Sequence, residues 1–178
     1  MTSTFSISER INRFSRRKWK NISEFLDYQI RANTSSMRTL PSFLILGTAK
    51  GGTTSLHRYL EAHPRVGKML RKEIHYFDQS FSKGLLWYRK YFPLQYKNLI
   101  AGDSTPYYLL YPHAPMRAFE CIPSAKLIVL LRNPIERAFS LHNMNLKRPD
   151  VNETLSFEDA IAAEPERLSG EIDRKSVV

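Results

Sequence analysis

The stretch Phe43-Leu44-Ile45-Leu46-Gly47-Thr48-Ala49-Lys50-Gly51-Gly52-Thr53-Thr54-Ser55 decides the fold, because a short apolar run breaks into a glycine-rich, lysine-bearing loop that opens directly into a helix. The run reads as a buried strand. Gly51-Gly52 removes side chains so that backbone N–H groups can approach an anion, and the helix that follows aims its positive N-terminal end at the same place. Lys50 adds a full positive charge. The order departs from the G-x-x-x-x-G-K-[ST] phosphate loop, since the lysine precedes the glycine pair, and an ordinary ATPase is disfavoured. Taken alone, the loop also allows a plain strand-turn-helix with a fortuitous lysine.

Two further segments add chemistry. Lys126-Leu127-Ile128-Val129-Leu130-Leu131 is a second strand-like run, and it delivers Arg132 at its C-terminal end, followed by Asn133-Pro134-Ile135-Glu136-Arg137-Ala138-Phe139-Ser140. Pro134 suits a first helical turn, and Arg132 and Ser140 can converge on one anion from strand end and helix flank. An arginine in this place is, by itself, more often a solvated charge. Lys72-Glu73-Ile74-His75-Tyr76-Phe77-Asp78 sets a carboxylate and an imidazole two residues apart, on one side of the chain if it is extended. The bland reading of Glu73 is a surface carboxylate paired with Lys72 or Arg71.

In this order the three segments resemble sulfotransferases that use 3′-phosphoadenosine 5′-phosphosulfate (PAPS), in the heparan-sulfate-like, glycan-modifying branch. The resemblance implies that Lys50, Gly51, Gly52, Thr53, Thr54 and Ser55 hold the 5′-phosphosulfate and that Arg132 and Ser140 hold the 3′-phosphate. It implies Glu73 as general base, His75 as its orienting partner, and Lys50 as the charge that stabilises the leaving phosphate; no metal is expected. A sulfuryl transfer to a hydroxyl needs such a base, because the acceptor proton must leave as its oxygen attacks sulfur. Gly84-Leu85-Leu86-Trp87-Tyr88-Arg89-Lys90-Tyr91-Phe92-Pro93 and Gly102-Asp103-Ser104-Thr105-Pro106-Tyr107-Tyr108 resemble further stretches of the same branch. The first reads as core packing through Leu86, Tyr88, Tyr91 and Phe92. Thr54 and Ser104 stand where some glycan sulfotransferases carry an arginine and a lysine, which weakens the case for a heparan-like polyanion as acceptor.

Composition fits an enzyme-like domain: 178 residues with 42% hydrophobic content suffice for one core. The single cysteine, Cys121, permits no intrachain disulfide and suits a reducing compartment. No apolar run is long enough to span a membrane, and the N-terminus has no secretory h-region. Together with the resemblance, this leads to the expectation of a bacterial-type, cytoplasmic enzyme. The formal charge of +10 is unevenly spread, at about +5 over residues 1–40, +10 over 41–148 and −5 over 149–178. No nucleic-acid-recognition pattern accompanies it. Arg13, Arg16, Arg17, Lys18 and Lys20 lie among Ile7, Ile11, Phe14, Ile22 and Phe25 at near-helical spacing. An amphipathic helix over residues 7–31, packed on the domain, is expected, with membrane-surface contact as the weaker alternative.

The expected fold is α/β and P-loop-like: three layers, with a central parallel sheet flanked by helices, preceded by the N-terminal amphipathic helix. Strands are expected at Ser42–Leu46, Leu99–Asp103 and Lys126–Leu131. Helices are expected at Thr53–His63, Gly84–Phe92, His113–Cys121 and Pro134–Asn145, and from Ser156 as N-cap to Ala163. Residues 1–40 form a basic helical segment and linker, and residues 41–172 a sulfotransferase domain incomplete at its C-terminus, since the resembled family continues for roughly another hundred residues. Residues 173–178 are expected to be a non-native tail, because they back-translate to a string resembling a sequencing-adapter end; a natural charged tail is the other reading.

The functional expectation is sulfuryl transfer from PAPS to a hydroxyl or amine of a glycan or small-molecule acceptor, with the fragment itself expected to be a poor catalyst. A nucleotide-dependent phosphotransferase is the alternative enzyme, but Lys126–Leu131 ends in Arg132 instead of the acid a metal-nucleotide site requires. A non-catalytic polyanion-binding fragment is the alternative outside enzymes.

Overall fold

The apolar run at the start of the phosphate-loop sequence becomes the middle strand of a three-stranded parallel sheet. In the computed structural model, which describes residues 23–151 and 153–169, β1 (Phe43–Gly47) lies between β2 (Gly102–Ser104) and β3 (Lys126–Leu130). Phe43 pairs in register with Gly102 on one side and Lys126 on the other. All five β1 residues are buried. Gly102 is required at its position, because a Cβ there would stand 2.0 Å from the Phe43 ring.

Around the sheet run α1 (residues 23–33), α2 (Thr53–Glu61), α3 (Tyr76–Gln79), α4 (Leu85–Arg89), α5 (Ala114–Cys121), α6 (Pro134–Asn145), α7 (Phe157–Ala162) and α8 (Glu164–Ser169). α2 packs on β1 and β2. Alternate residues of β1 face opposite sides, and Leu44 and Leu46 join the main core with Ile74, Tyr76, Phe77, Tyr88, Tyr91, Phe92 and Tyr108. Tyr76 stacks on Tyr88 at 4.3 Å between centroids, and Phe77 meets Tyr88 and Tyr108 edge-on. Each such ring removes 150–250 Å² from water, so this cluster dominates burial.

The parallel sheet flanked by helices agrees with the expected class, and α6 and the Ser156 N-cap fall where expected. The Ser156 side chain accepts from the Asp159 N–H at 3.1 Å. β2 begins later than the Leu99–Asp103 expectation, because pairing with β1 starts only at Gly102. Leu86 is 57% exposed and does not share the packing of Tyr88, Tyr91 and Phe92. The larger correction concerns the N-terminal helix. Its described part docks through Tyr28 and Arg31, while Phe25, expected on the packed face, is 62% exposed. The expected helical residues 7–22 and the tail at 173–178 lie outside the described residues.

Candidate functional site

The loop between β1 and α2 is shaped by residues that only its sequence order allows. Gly47 has φ 149° and sits so close to β3 that a Cβ would meet the Leu130 carbonyl oxygen at 2.2 Å. Lys50 is left-handed at φ 64°, and Gly52, at φ 94°, occupies the N-cap of α2 without offering any side chain to it. The first N–H groups of α2 are therefore uncapped and sit at the positive end of its dipole. A Cβ on Gly51 would meet the Thr48 carbonyl at 2.9 Å and Leu130 O at 3.1 Å, so the cradle admits only glycine without rearrangement. The Thr48 hydroxyl beside it is buried with no partner. Bare backbone donors, a lysine and an unpaired hydroxyl together fit a phosphate-like anion.

Arg132 and Lys50 converge. Arg132 leaves the end of β3, donates from Nη1 to the Lys50 carbonyl at 3.4 Å and pairs through Nε with Glu136 at 3.3 Å. Asn133 caps α6, accepting from the Ile135 and Glu136 N–H groups, which fixes the turn that carries Arg132. Ser140 is half-buried on α6, one turn before Met144. The Met144 sulfur lies 4.0 Å from the Lys50 Nζ, so this face of α6 reaches the loop lysine.

The Glu73 segment enters from the other side, and not as an extended chain. Glu73 and His75 both have left-handed backbones, with φ 57° and 56°, so the shared-side argument from extended spacing fails. Each is placed by its own contacts. The Glu73 N–H donates to Ser104 O at the end of β2. Its carboxylate accepts from Lys72 Nζ at 2.9 Å, and the same ammonium donates to Thr54 Oγ1 at 2.7 Å in the first turn of α2. The Lys72 pairing of the bland reading is thus present, and it ties Glu73 to the anion loop. His75 Nδ1 lies 2.7 Å from Asp78 Oδ2. Asp78 is buried, and this contact fixes the orientation of the His75 ring.

Beneath this turn Asp103 is wholly buried and accepts from the hydroxyls of Tyr88 at 2.8 Å, Tyr108 at 2.9 Å and Thr105 at 2.8 Å. Burial pushes its carboxyl above the ordinary value, against the pull of those three hydrogen bonds. Burial and the adjoining Asp103 push the Tyr88 and Tyr108 phenols up as well. Tyr108 Oη also accepts from the Tyr76 N–H at 2.9 Å, which fastens the exit of the Glu73–His75 turn to the network. Sequence reasoning left Asp78, Asp103 and Met144 without roles and saw Lys72 only as a competitor for Glu73. Asp78, three residues after His75, carried the clearest signal.

A glycine cradle at a strand end, an arginine from the neighbouring strand and a carboxylate held to the cradle make up an α/β site whose chemistry fits an anion. The chain matches the family described as Sulfotransferase domain over residues 40–167 and belongs to it. Among similar proteins, Membrane-associated sulfotransferase kil1 of Dictyostelium discoideum is 40% identical over 112 residues, covering 61% of this chain and 24% of that protein. Heparan sulfate glucosamine 3-O-sulfotransferase 3B1 of Mus musculus is 40% identical over 128 residues, covering 70% of this chain and 33% of its own length. A crystal structure of a sulfotransferase from Alicyclobacillus acidocaldarius superposes with a TM-score of 0.62 at 31% identity, covering 78% of this chain and 62% of that one. The chain therefore spans a quarter to a third of these two curated relatives and less than two-thirds of the bacterial structure.

Proposed function

We propose that this chain carries the donor site and the general base of a sulfotransferase that moves a sulfuryl group from PAPS to a hydroxyl or amine of a glycan. The observation that carries the reading is the Lys72 bridge, which holds the Glu73 carboxylate beside the first turn of α2. A base fastened to an anion cradle suits transfer of an anionic group, because acceptor deprotonation and leaving-group stabilisation must occur side by side.

Lys50 and the backbone of Gly51, Gly52 and Thr53, with the hydroxyls of Thr54 and Ser55, would hold the 5′-phosphosulfate; Arg132 and Ser140 would hold the 3′-phosphate. PAPS supplies an activated sulfur whose bridging S–O bond breaks as the acceptor oxygen bonds to sulfur. Glu73 takes the acceptor proton, and Lys50 neutralises charge on the departing phosphate oxygen. His75, oriented by Asp78, stands two residues away to steer the acceptor. The Tyr107 ring, 57% exposed and 5.8 Å from the His75 ring, offers a flat wall on that side. The sulfated-glycan chemistry named for the mouse relative supports a glycan acceptor.

Replacing Glu73 by Gln keeps shape and polarity but removes the proton acceptor. In a version extended to the length of its relatives, sulfuryl transfer from labelled PAPS to glycan oligosaccharides should fall on the order of a hundredfold or more while nucleotide affinity holds. Lys50→Ala should lower both, since Lys50 meets the phosphosulfate before and during transfer. Normal turnover in Glu73→Gln would remove Glu73 from the mechanism.

A further inference from the structure

The turn that carries His75 runs into α3, which is a single turn of helix. A helix this short has no stability of its own and leaves carbonyls unbonded at its C-terminal end. The Gln79 and Ser80 N–H groups donate to the His75 and Tyr76 carbonyls at 3.2 Å each. The next two carbonyls accept from a distant side chain instead: Arg117 of α5 donates from Nη1 to Phe77 O at 2.7 Å and to Asp78 O at 3.4 Å. The Arg117 guanidinium carbon stands 4.8 Å from the Phe81 ring centroid and 5.7 Å from that of Tyr111, so two aromatic rings hold the group in place.

This clamp bears on one carboxylate. Asp78 is anchored through its backbone oxygen by Arg117 and through Oδ1 by the Gln79 N–H at 2.9 Å, which leaves Oδ2 for His75 Nδ1 at 2.7 Å. His75 does not hold itself, since its backbone is left-handed at φ 56°, a conformation that a residue with a Cβ keeps only where its surroundings impose it. We propose that Arg117 is a positioning residue of this site: it fixes the end of α3 and, through Asp78, the imidazole of His75 on the side where the acceptor approaches. The proposal rests on the reading of His75 as the group that steers the acceptor. Arginine suits the task better than lysine, because its planar, delocalised group lies against rings while donating to two carbonyls, whereas an ammonium acts as a point charge.

Nuclear magnetic resonance of the whole chain tests the clamp without any reaction. In the parent, the His75 and Tyr107 rings, 5.8 Å apart between centroids, should give cross-peaks, and the Arg117 guanidinium protons should exchange slowly enough to be seen. Arg117→Gln should lose most of the His75–Tyr107 intensity while the Phe77–Tyr88 cross-peaks of the core remain, and Arg117→Lys should recover part of it. Unchanged His75–Tyr107 cross-peaks in Arg117→Gln would overturn the proposal, and loss of the core cross-peaks as well would assign Arg117 to the fold alone. Should that variant not fold, freely exchanging Arg117 protons in the parent would overturn it equally. In a version extended to the length of its relatives, Arg117→Gln should lower kcat for sulfuryl transfer roughly tenfold with the KM for PAPS unchanged, Arg117→Lys should fall between, and Arg117→Gln should cost nothing more once His75 is replaced by Ala. The same loss in the His75→Ala background would overturn the route through His75. Absence of transfer in the extended parent would count against sulfuryl transfer itself and not against the clamp, which the ring cross-peaks decide.

Discussion

β1 and β3 are written in almost the same apolar alphabet, yet they live in opposite surroundings. Every residue of Phe43–Gly47 is buried, whereas in Lys126–Leu130 the side chains of Leu127 and Val129 are 63% and 47% exposed. An apolar run announces a strand; its neighbours decide whether the strand is core. β1 hydrogen-bonds on both edges and lies under the aromatic cluster, while β3 pairs with β1 alone among the described residues. A groove of about 220 Å³, lined by Leu44, Leu46, Ala118, Phe119, Ile122 and Leu127, runs between β1, β3 and α5. The two halves of the proposed anion site inherit this contrast. The Lys50 loop springs from the firm strand, and Arg132, its side chain 38% exposed, from the open one.

The contrast can be broken most forcefully beneath β2. Asp103→Ala removes the acceptor of three buried hydroxyls and should cost about 3–5 kcal/mol in denaturant unfolding, as unsatisfied buried groups cost 1–3 kcal/mol each and are not additive. A loss below 1 kcal/mol would show that the network does not anchor the core. Next, Leu44→Ala should cost about 2–5 kcal/mol and Leu127→Ala less than about 1 kcal/mol, although both are leucines in paired strands. Equal losses would erase the distinction between the strands.

A pH-dependent effect lies near the C-terminal helices, where Arg167 of α8 pairs with Glu153 at 2.8 Å and both side chains are buried. The hydrogen bond from Arg167 holds the Glu153 carboxyl below its ordinary value. The stability it contributes is therefore complete above the unfolded value of about 4.3 and drains away as pH falls through the lower folded value. Glu153→Gln should cost about 2 kcal/mol at pH 7 and nothing once both forms are protonated or neutral, read from melts across pH 2–7. A penalty independent of pH would assign the effect to packing.

Much of this was legible in residue order. Pro134 after Asn133 marks the start of α6, and Ser156 with Asp159 three residues on marks α7. The Lys50 loop could be read because the strand, the lysine, the glycine pair and the helix start are contiguous in sequence. The Glu73–His75 turn could not, since its left-handed backbone is held by distant acceptors and donors, Ser104 O and Tyr108 Oη, that no local pattern foretells. The Lys72–Glu73 pair was legible, but not the second partner of Lys72, because Thr54 is 18 residues away. The orientation of α1 was missed because periodicity finds the apolar side of a helix but not which side docks, and here Lys90 and Phe92 bind the polar side.

The central claim is that the Lys50 loop and Arg132 hold the two phosphates of one nucleotide. Calorimetric titration of the whole chain with 3′-phosphoadenosine 5′-phosphate and with AMP tests it most directly. The bisphosphate should bind roughly ten- to a hundredfold more tightly, the worth of one charge-assisted contact of about 1.5–3 kcal/mol, and Arg132→Ala should abolish that margin while leaving AMP affinity nearly unchanged. Equal affinities for the two nucleotides in the parent protein would contradict the account.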